Sequence, residues 1–243
     1  MAQDTQTIGL LAAEIQEAGH RLGLPLVAAC ADISSARAAL DERGQPIGAL
    51  FDFTADARDY WNWSDLALRN AIIAVVRHTA EPFYYDRGEI GGWQTMALSD
   101  ELIEQAREKD YAVRAAIVAP VHLPGTTIGA VLWASDTGRP DLVVLYREHA
   151  VALHGLALRF VAACEVVNHG PSPILVHPLT RREIQCLKLA AAGKTDGEIG
   201  TILEVAIPTV RFHLRKASAK LGEMGRLRTV QRAAELGFVA TRR

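Results

Sequence analysis

The sequence predicts an α+β chain: an N-terminal α/β/α sandwich on an antiparallel sheet, then a C-terminal all-α domain of four short helices. Three observations carry this. Short apolar runs alternate with helical patterns as far as Val167, and beyond it every periodic segment has a helical period. The stretch NHGPSPILV (168–176) separates the two regions; Gly170, Pro171 and Pro173 cannot continue a helix. Charge divides at the same place. Residues 1–173 hold 13 Lys+Arg against 22 Asp+Glu, a net of −9, whereas residues 174–243 hold 13 against 6, a net of +7. The domains are therefore expected at 1–167 and 177–243, with 168–176 as a linker.

Each element has its own signal. Thr7–Arg21 is expected as a helix because Ile8, Leu11, Ile15 and Leu22 share one side. Pro25–Ile33 and Ile47–Phe53 are short apolar runs separated by the turn-like ERGQ, and both are expected as strands. Ser64–Arg77 has helical spacing, with Leu66, Asn70, Ile73 and Arg77 marking successive turns. Phe83–Tyr85 and Gly92–Met96 suggest short strands, and Ser99 caps a helix running to Lys109. Ala115–His122 and Ile128–Ser135 flank LPGTT as a hairpin, and Asp141–Val167 is a long, unusually apolar helix. In the second domain, Thr180–Ala192 and Thr195–Leu203 each open with Thr-x-x-Glu, a capping box. Ile207–Leu221 ends at Gly222 and Arg226–Leu236 at Gly237, the usual residue past a helix end. Four basic helices with tight turns make a helix-turn-helix module.

Composition excludes several classes. Hydrophobic residues make up 49% and charged residues 22%, as in folded globular chains. No stretch reaches the ~18 uninterrupted apolar residues of a membrane span, and the N-terminus lacks the basic region of a signal peptide. Cys30, Cys164 and Cys186 are odd in number and widely spaced, which fits buried cytosolic thiols rather than disulfides or zinc. His149 and His154 do not share a helical face, so no metal is expected. Nucleophile elbow, phosphate loop and paired-carboxylate motifs are absent, and nothing points to an enzyme or a cofactor.

The chemistry lies on the third helix of the basic domain. At 100° per residue, Val210, Leu214, Ala217 and Leu221 fall within about 60° of one another and form a core stripe. Opposite them lie Pro208, Arg211, Phe212, Arg215 and Ala219, flanked by Lys216 and Lys220. Two arginines one turn apart suit a helix in a major groove, where an Arg fork matches guanine O6 and N7 and lysines match phosphates. Lys194 and Thr195 sit where the preceding helix leaves its N–H groups free, a natural phosphate contact. A solubilising face on a helical bundle is the competing interpretation.

PLTRREIQCLKLAAAGKTDGEIGTILEVAIPTVRFHLRKASAKLGEMGRLRTV resembles the LuxR-type helix-turn-helix of bacterial transcription regulators. The match runs through Leu179, Thr180, Arg182, Glu183, Leu187, Gly193, Lys194, Glu198, Ile199, Leu203, Thr209, Val210, His213, Lys220, Leu221, Arg226 and Gly237. The resemblance places base readers at Arg211, Phe212 and Arg215, and completes the DNA-contacting set with Lys194, Thr195, Thr209, Lys216, Lys220 and Arg226. Two departures are visible. Ala206 replaces a capping serine, at a cost of about 1 kcal/mol. Gly200 replaces an alanine and is expected to loosen the second helix by up to ~1 kcal/mol.

The first domain is similar, more weakly, to the autoinducer-binding domain of quorum-sensing regulators. A phosphoacceptor receiver would open with a strand ending in paired acids; this chain opens with a helix and offers only Asp52. Anchoring on Pro82–Tyr85, Tyr85 takes the place of the family's pocket tryptophan, Asn70 that of its amide-binding aspartate and Trp61 that of its pocket tyrosine. Tyr111–Ser135 is similar to a further family stretch, with Ala112 and Ala116 for glycines. Ala57 stands for another pocket tryptophan and Leu132 for a hydroxyl residue. Asn70 offers a weaker bond to an acyl-homoserine lactone than an aspartate would. The expected ligand-binding set is Trp61, Asp65, Asn70, Tyr85, Trp93, Leu132 and Trp133. Asp65 serves equally as a cap for the helix after Ser64.

The resulting expectation is a cytoplasmic, homodimeric, sequence-specific DNA-binding regulator that answers to a small molecule other than a standard acyl-homoserine lactone. Its partners would be double-stranded DNA with a pseudo-palindromic operator and a small-molecule effector, with RNA polymerase a further candidate and no membrane. An acyl-homoserine-lactone receptor is one alternative; a sensor acting mainly through protein contact with weak DNA binding is another.

Overall fold

In the computed structural model, which describes residues 7–35, 37–51, 70–108, 113–171 and 178–240, the N-terminal region is built on five antiparallel strands in the order β1-β5-β4-β2-β3. The strands are β1 (Leu26–Cys30), β2 (Phe83–Asp86), β3 (Glu89–Gly92), β4 (Ala115–His122) and β5 (Ile128–Ser135). Helices α1 (Ile8–Leu22) and α4 (Leu142–His169) cover one face, and α2 (Ala71–His78) and α3 (Asp100–Glu108) cover the other. Covering both faces explains why β4 is a continuous apolar run instead of an alternating one. Successive residues still point to opposite layers. Ile117, Ala119, Val131 and Trp133 pack with α1 and α4. Phe83, Tyr85, Ala116, Val118, Ala130 and Ala134 pack with the α2 and α3 side.

The hairpin β4–β5 has the expected bounds, with Ala115 opposite Ser135 and His122 opposite Ile128. Three other expectations need correction. Ile47–Leu50 is a short 3-10 helix, not a strand. Ile47 is buried and Ala49 exposed, although strand alternation would put them on one face, and the extended Pro46 and Phe51 bound the turn on either side. The strand expected at Gly92–Met96 is β3, several residues earlier. Arg87 and Gly88 both take positive φ (47° and 93°), so the chain reverses in two residues and pairing resumes at Glu89. The helix expected from Ser64 begins, within the described residues, at Ala71. Asn70 is extended (φ −90°, ψ 122°) and is the N-cap of α2, accepting from the N–H groups of Ile72 and Ile73.

Helix α4, at 28 residues, is long and apolar enough by length and composition to cross a membrane. Here it is a core helix on one side: Leu142, Tyr146, Ala150, Leu153, Ala157, Phe160, Val161 and Cys164 are buried. Burial pushes the Cys30 and Cys164 thiols up to about 12 and raises that of Cys186, so all three are held as neutral thiols.

The chain divides into two compact units after Ser172. The second holds α5 (Arg181–Ala191), α6 (Asp196–Leu203), α7 (Ile207–Leu221) and α8 (Arg226–Glu235). Both capping boxes are formed. The side chains of Thr180 and Thr195 accept from the backbone of Glu183 and Glu198, whose carboxylates accept in return. Leu187, Ala217, Leu221, Ala233 and Val239 form one cluster of the small core, and Cys186, Ala190, Ile199 and Val210 another.

Candidate nucleic-acid interface

Helices α6 and α7 are joined by a three-residue turn in which Glu204 takes the left-handed conformation (φ 54°) and the Val205 N–H donates to the Gly200 carbonyl at 2.9 Å. Gly200 permits that approach: a Cβ there would lie 2.8 Å from the Val205 carbonyl oxygen. Ala206, at the N-cap of α7, makes no side-chain capping bond, and Pro208 sits in the first turn, where a missing N–H costs little. Val210, Ala217 and Leu221 are buried against α5 and α8, as the helical spacing requires. The opposite face, Pro208, Arg211, Phe212, Arg215, Lys216 and Ala219, is exposed, and Thr209 is half-buried. The Lys216 ammonium lies 5.8 Å from the centre of the Phe212 ring, holding an aromatic group and a cation side by side.

Residues 177–233 match the family of bacterial regulatory proteins of the luxR type, GerE. The C-terminal domain is a LuxR-family helix-turn-helix. Among curated relatives, VjbR of Brucella ovis, an HTH-type quorum sensing-dependent transcriptional regulator, is 36% identical over 104 residues, 43% of this chain and 38% of VjbR. RpaR of Rhodopseudomonas palustris, of the same description, is 44% identical over 69 residues, 28% of each chain. The transcriptional activator VanR of Vibrio anguillarum is 43% identical over 61 residues, 25% of each. The matches thus span well under half the length of these relatives. Escherichia coli SdiA, in its crystal structure, shares the fold with a TM-score of 0.51 at 16% identity, over 97% of this chain and 93% of SdiA.

The residues expected to line a ligand pocket in the first unit do not share one layer. Tyr85 and Leu132 lie on the α2/α3 side of the sheet. The Tyr85 hydroxyl donates to the Ala106 carbonyl of α3 at 3.3 Å, and Asn70 caps α2. Trp133 is fully buried on the opposite side and donates from Nε1 to the Ile15 carbonyl of α1 at 2.9 Å. Leu132 and Trp133 are adjacent on a strand, so they cannot line one pocket together; Trp133 is a core residue of the α1/α4 layer. Trp93 is half exposed, with its ring centre 5.9 Å from that of Tyr146 on α4, and so also belongs to that side. Trp61 and Asp65, like Ala57 and Asp52, lie outside the described residues.

Within the LuxR-family domain, three expected phosphate or DNA contacts are committed to the protein itself. Lys220 donates to the Glu183 carboxylate at 2.8 Å and the Pro178 carbonyl at 2.9 Å, tying the end of α7 to the start of α5. Burial would raise the Glu183 pKa, but hydrogen bonds from Lys220 and Thr180 outweigh it and hold the carboxyl below its ordinary range. Thr195 donates both its N–H and its hydroxyl to Glu198, at 2.7 and 2.9 Å, leaving neither for a phosphate. Arg226 donates to Asp196 and to the Lys194 carbonyl. Lys194 remains near the start of α6, 3.8 Å from Glu198. Asp196 was not among the expected site residues. Its signal, an acid in the first turn of the helix preceding an arginine-bearing one, reads equally as helix-dipole compensation.

The Gly200 geometry reverses the sequence-based expectation that alanine is the better residue there. Gly200→Ala should destabilise the domain by more than about 1 kcal/mol, since the backbone clash outweighs the gain in helix propensity. Urea unfolding of the two proteins measures this, and a stabilised variant would contradict it.

Proposed function

We propose that the chain is a ligand-responsive, sequence-specific DNA-binding transcriptional regulator that works as a homodimer in the cytoplasm. The outward face of α7 carries the DNA half of this reading. Arg211 and Arg215 stand one turn apart and exposed, with Phe212 beside them, on a helix whose other face is the domain core. An arginine fork suits guanine, an aromatic edge suits a thymine methyl, and the neighbouring Lys216 suits a phosphate. Affinity for duplex DNA should fall steeply with salt, the mark of phosphate contacts. Arg211→Ala and Arg215→Ala should each lose about 1–3 kcal/mol of discrimination for the preferred site while unfolding at the wild-type temperature. Anisotropy titrations at fixed salt decide the matter; unchanged affinity in both variants would remove this face from the interface.

The long helix supports the dimer. Val144, Val151 and Leu158 are exposed at seven-residue spacing, and Val151 is 69% exposed. A Cβ on Gly155, beside this stripe, would meet nothing within 4 Å, so a second helix can approach closely. Apolar residues repeating every seven positions form a seam for a second copy of the same helix. Sedimentation should show a dimer at micromolar concentration, and Val151→Glu should weaken it at least tenfold. A wild-type monomer would end this reading.

A small-molecule effector is supported by the quorum-sensing dependence named for VjbR and RpaR, and its binding would change how two LuxR-family domains meet a two-fold-related site. That effector is read as something other than a standard acyl-homoserine lactone. The Asn70 oxygen, matched by resemblance to a ligand-binding aspartate, accepts from Ile72 N–H at 2.8 Å and Ile73 N–H at 3.3 Å, so both its lone pairs serve α2. A lactone amide would have to compete with the cap. Micromolar lactones of varied chain length should leave the melting temperature unchanged; a clear rise would establish the lactone-receptor alternative.

A further inference from the structure

We infer that Asp196 is a positioning residue for base reading, one that aims the Arg211 guanidinium; this rests on the DNA-binding reading of α7. Asp196 is the first residue of α6 and its carboxylate is three-quarters buried. Oδ2 accepts from Arg211 Nε at 3.1 Å, and Oδ1 accepts from Arg226 Nη1. Arg226 is itself anchored, because Nη2 donates to the Lys194 carbonyl. A relay therefore runs from the Lys194 backbone through Arg226 and Asp196 to Arg211. Each link is a charge-assisted bond, stronger and more directional than a neutral one.

The consequence follows from guanidinium geometry. Arginine has five N–H donors in a rigid plane. With Nε held by Asp196, the plane of Arg211 is set, and the Nη1–Nη2 end remains for a bidentate contact. The Arg211 side chain is 71% exposed, so that end faces solvent where a base edge would lie. Unbuttressed, an exposed arginine samples many rotamers and binds any nearby phosphate as readily as a base. Asp196 also lowers the local charge, since one carboxylate serves two arginines. Together with Glu198 at the same helix start, it makes the open groove lined by Lys194, Thr195, Asp196, Ile207, Arg211 and Arg226, about 510 Å³, a poor seat for a phosphate. The expected balance is lower general attraction to DNA and higher selectivity at one base pair.

The test is selection from a duplex pool with about 20 randomised base pairs, enough for two half-sites, followed by sequencing for wild type, Asp196→Asn, Arg211→Lys and the double variant. Wild type should enrich guanine at one position per half-site. Asp196→Asn should reduce that preference roughly 5- to 150-fold, the range for loss of one bidentate contact, with the other positions intact. Its affinity for random-sequence duplex should hold or rise, and its dependence on salt should steepen by about one released counterion. Arg211→Lys keeps the charge but not the fork, and should lose the same position; the double variant should lose no more. A purely structural Asp196 would lower the melting temperature and all affinities together. Should Asp196→Asn fail to fold, Asp196→Glu displaces the carboxylate by one methylene and is read in the same way. Guanine preference surviving in the Asp196 variant but not in Arg211→Lys overturns the inference alone. Wild type that enriches no motif and binds no duplex overturns the DNA reading with it.

Discussion

A sheet buried on both faces is the constraint on which the first unit depends. Once α1 and α4 cover one face and α2 and α3 the other, each strand residue is assigned to a layer by its parity, with no freedom left over. Trp133 enters one layer and is locked there by its bond to the Ile15 carbonyl, while Leu132 and Tyr85 enter the other. The same constraint concentrates aromatic groups on the α4 side, where Tyr84, Trp93 and Tyr146 form a contiguous set and the Tyr146 hydroxyl donates to the Pro82 carbonyl. Burial there pushes the Tyr146 hydroxyl up to about 12.

The LuxR-family domain is governed by a different economy of charge. Its core is small, so helix ends and ion pairs carry much of its definition. Glu183, Asp196 and Glu198 all stand in first turns, where a carboxylate meets free N–H groups and the positive end of the helix. Each of these acids also meets a cation: Lys220 for Glu183, Lys194 for Glu198, Arg211 and Arg226 for Asp196. The excess of positive charge in this region is therefore partly consumed in building the domain. On the outward face of α7 there remain Arg215 and Lys216, beside Phe212 and a restrained Arg211.

Much of this was legible in the residues. Capping boxes, the core stripe of α7 and the β4–β5 hairpin are local patterns in which the partners lie within a few positions. The errors fell where a local signal had two meanings. Ile47–Leu50 is apolar enough for a strand, yet Ile47 is buried while Ala49, two positions on, is exposed, which strand alternation does not allow. Asn70 has the spacing of a mid-helix residue, but its side chain is a better cap than helix former, and α2 begins after it. Gly200 reads as a weak helix residue until the Val205 carbonyl is seen where a Cβ would be.

Short-range periodicity and capping made most helices and strands, the place where the charge changes sign, and the outward face of α7 readable along the chain, because each depends on partners a few positions apart. Which charged groups pair inside the domain depends instead on contacts between helices far apart in the chain. Lys220 meets Glu183 across 37 positions and Arg226 meets Asp196 across 30. No pattern along the chain distinguishes a lysine held by a buried carboxylate from one left to solvent. That distinction belongs to the packing of helices against one another, and it decides which cations are left to meet a phosphate or a base.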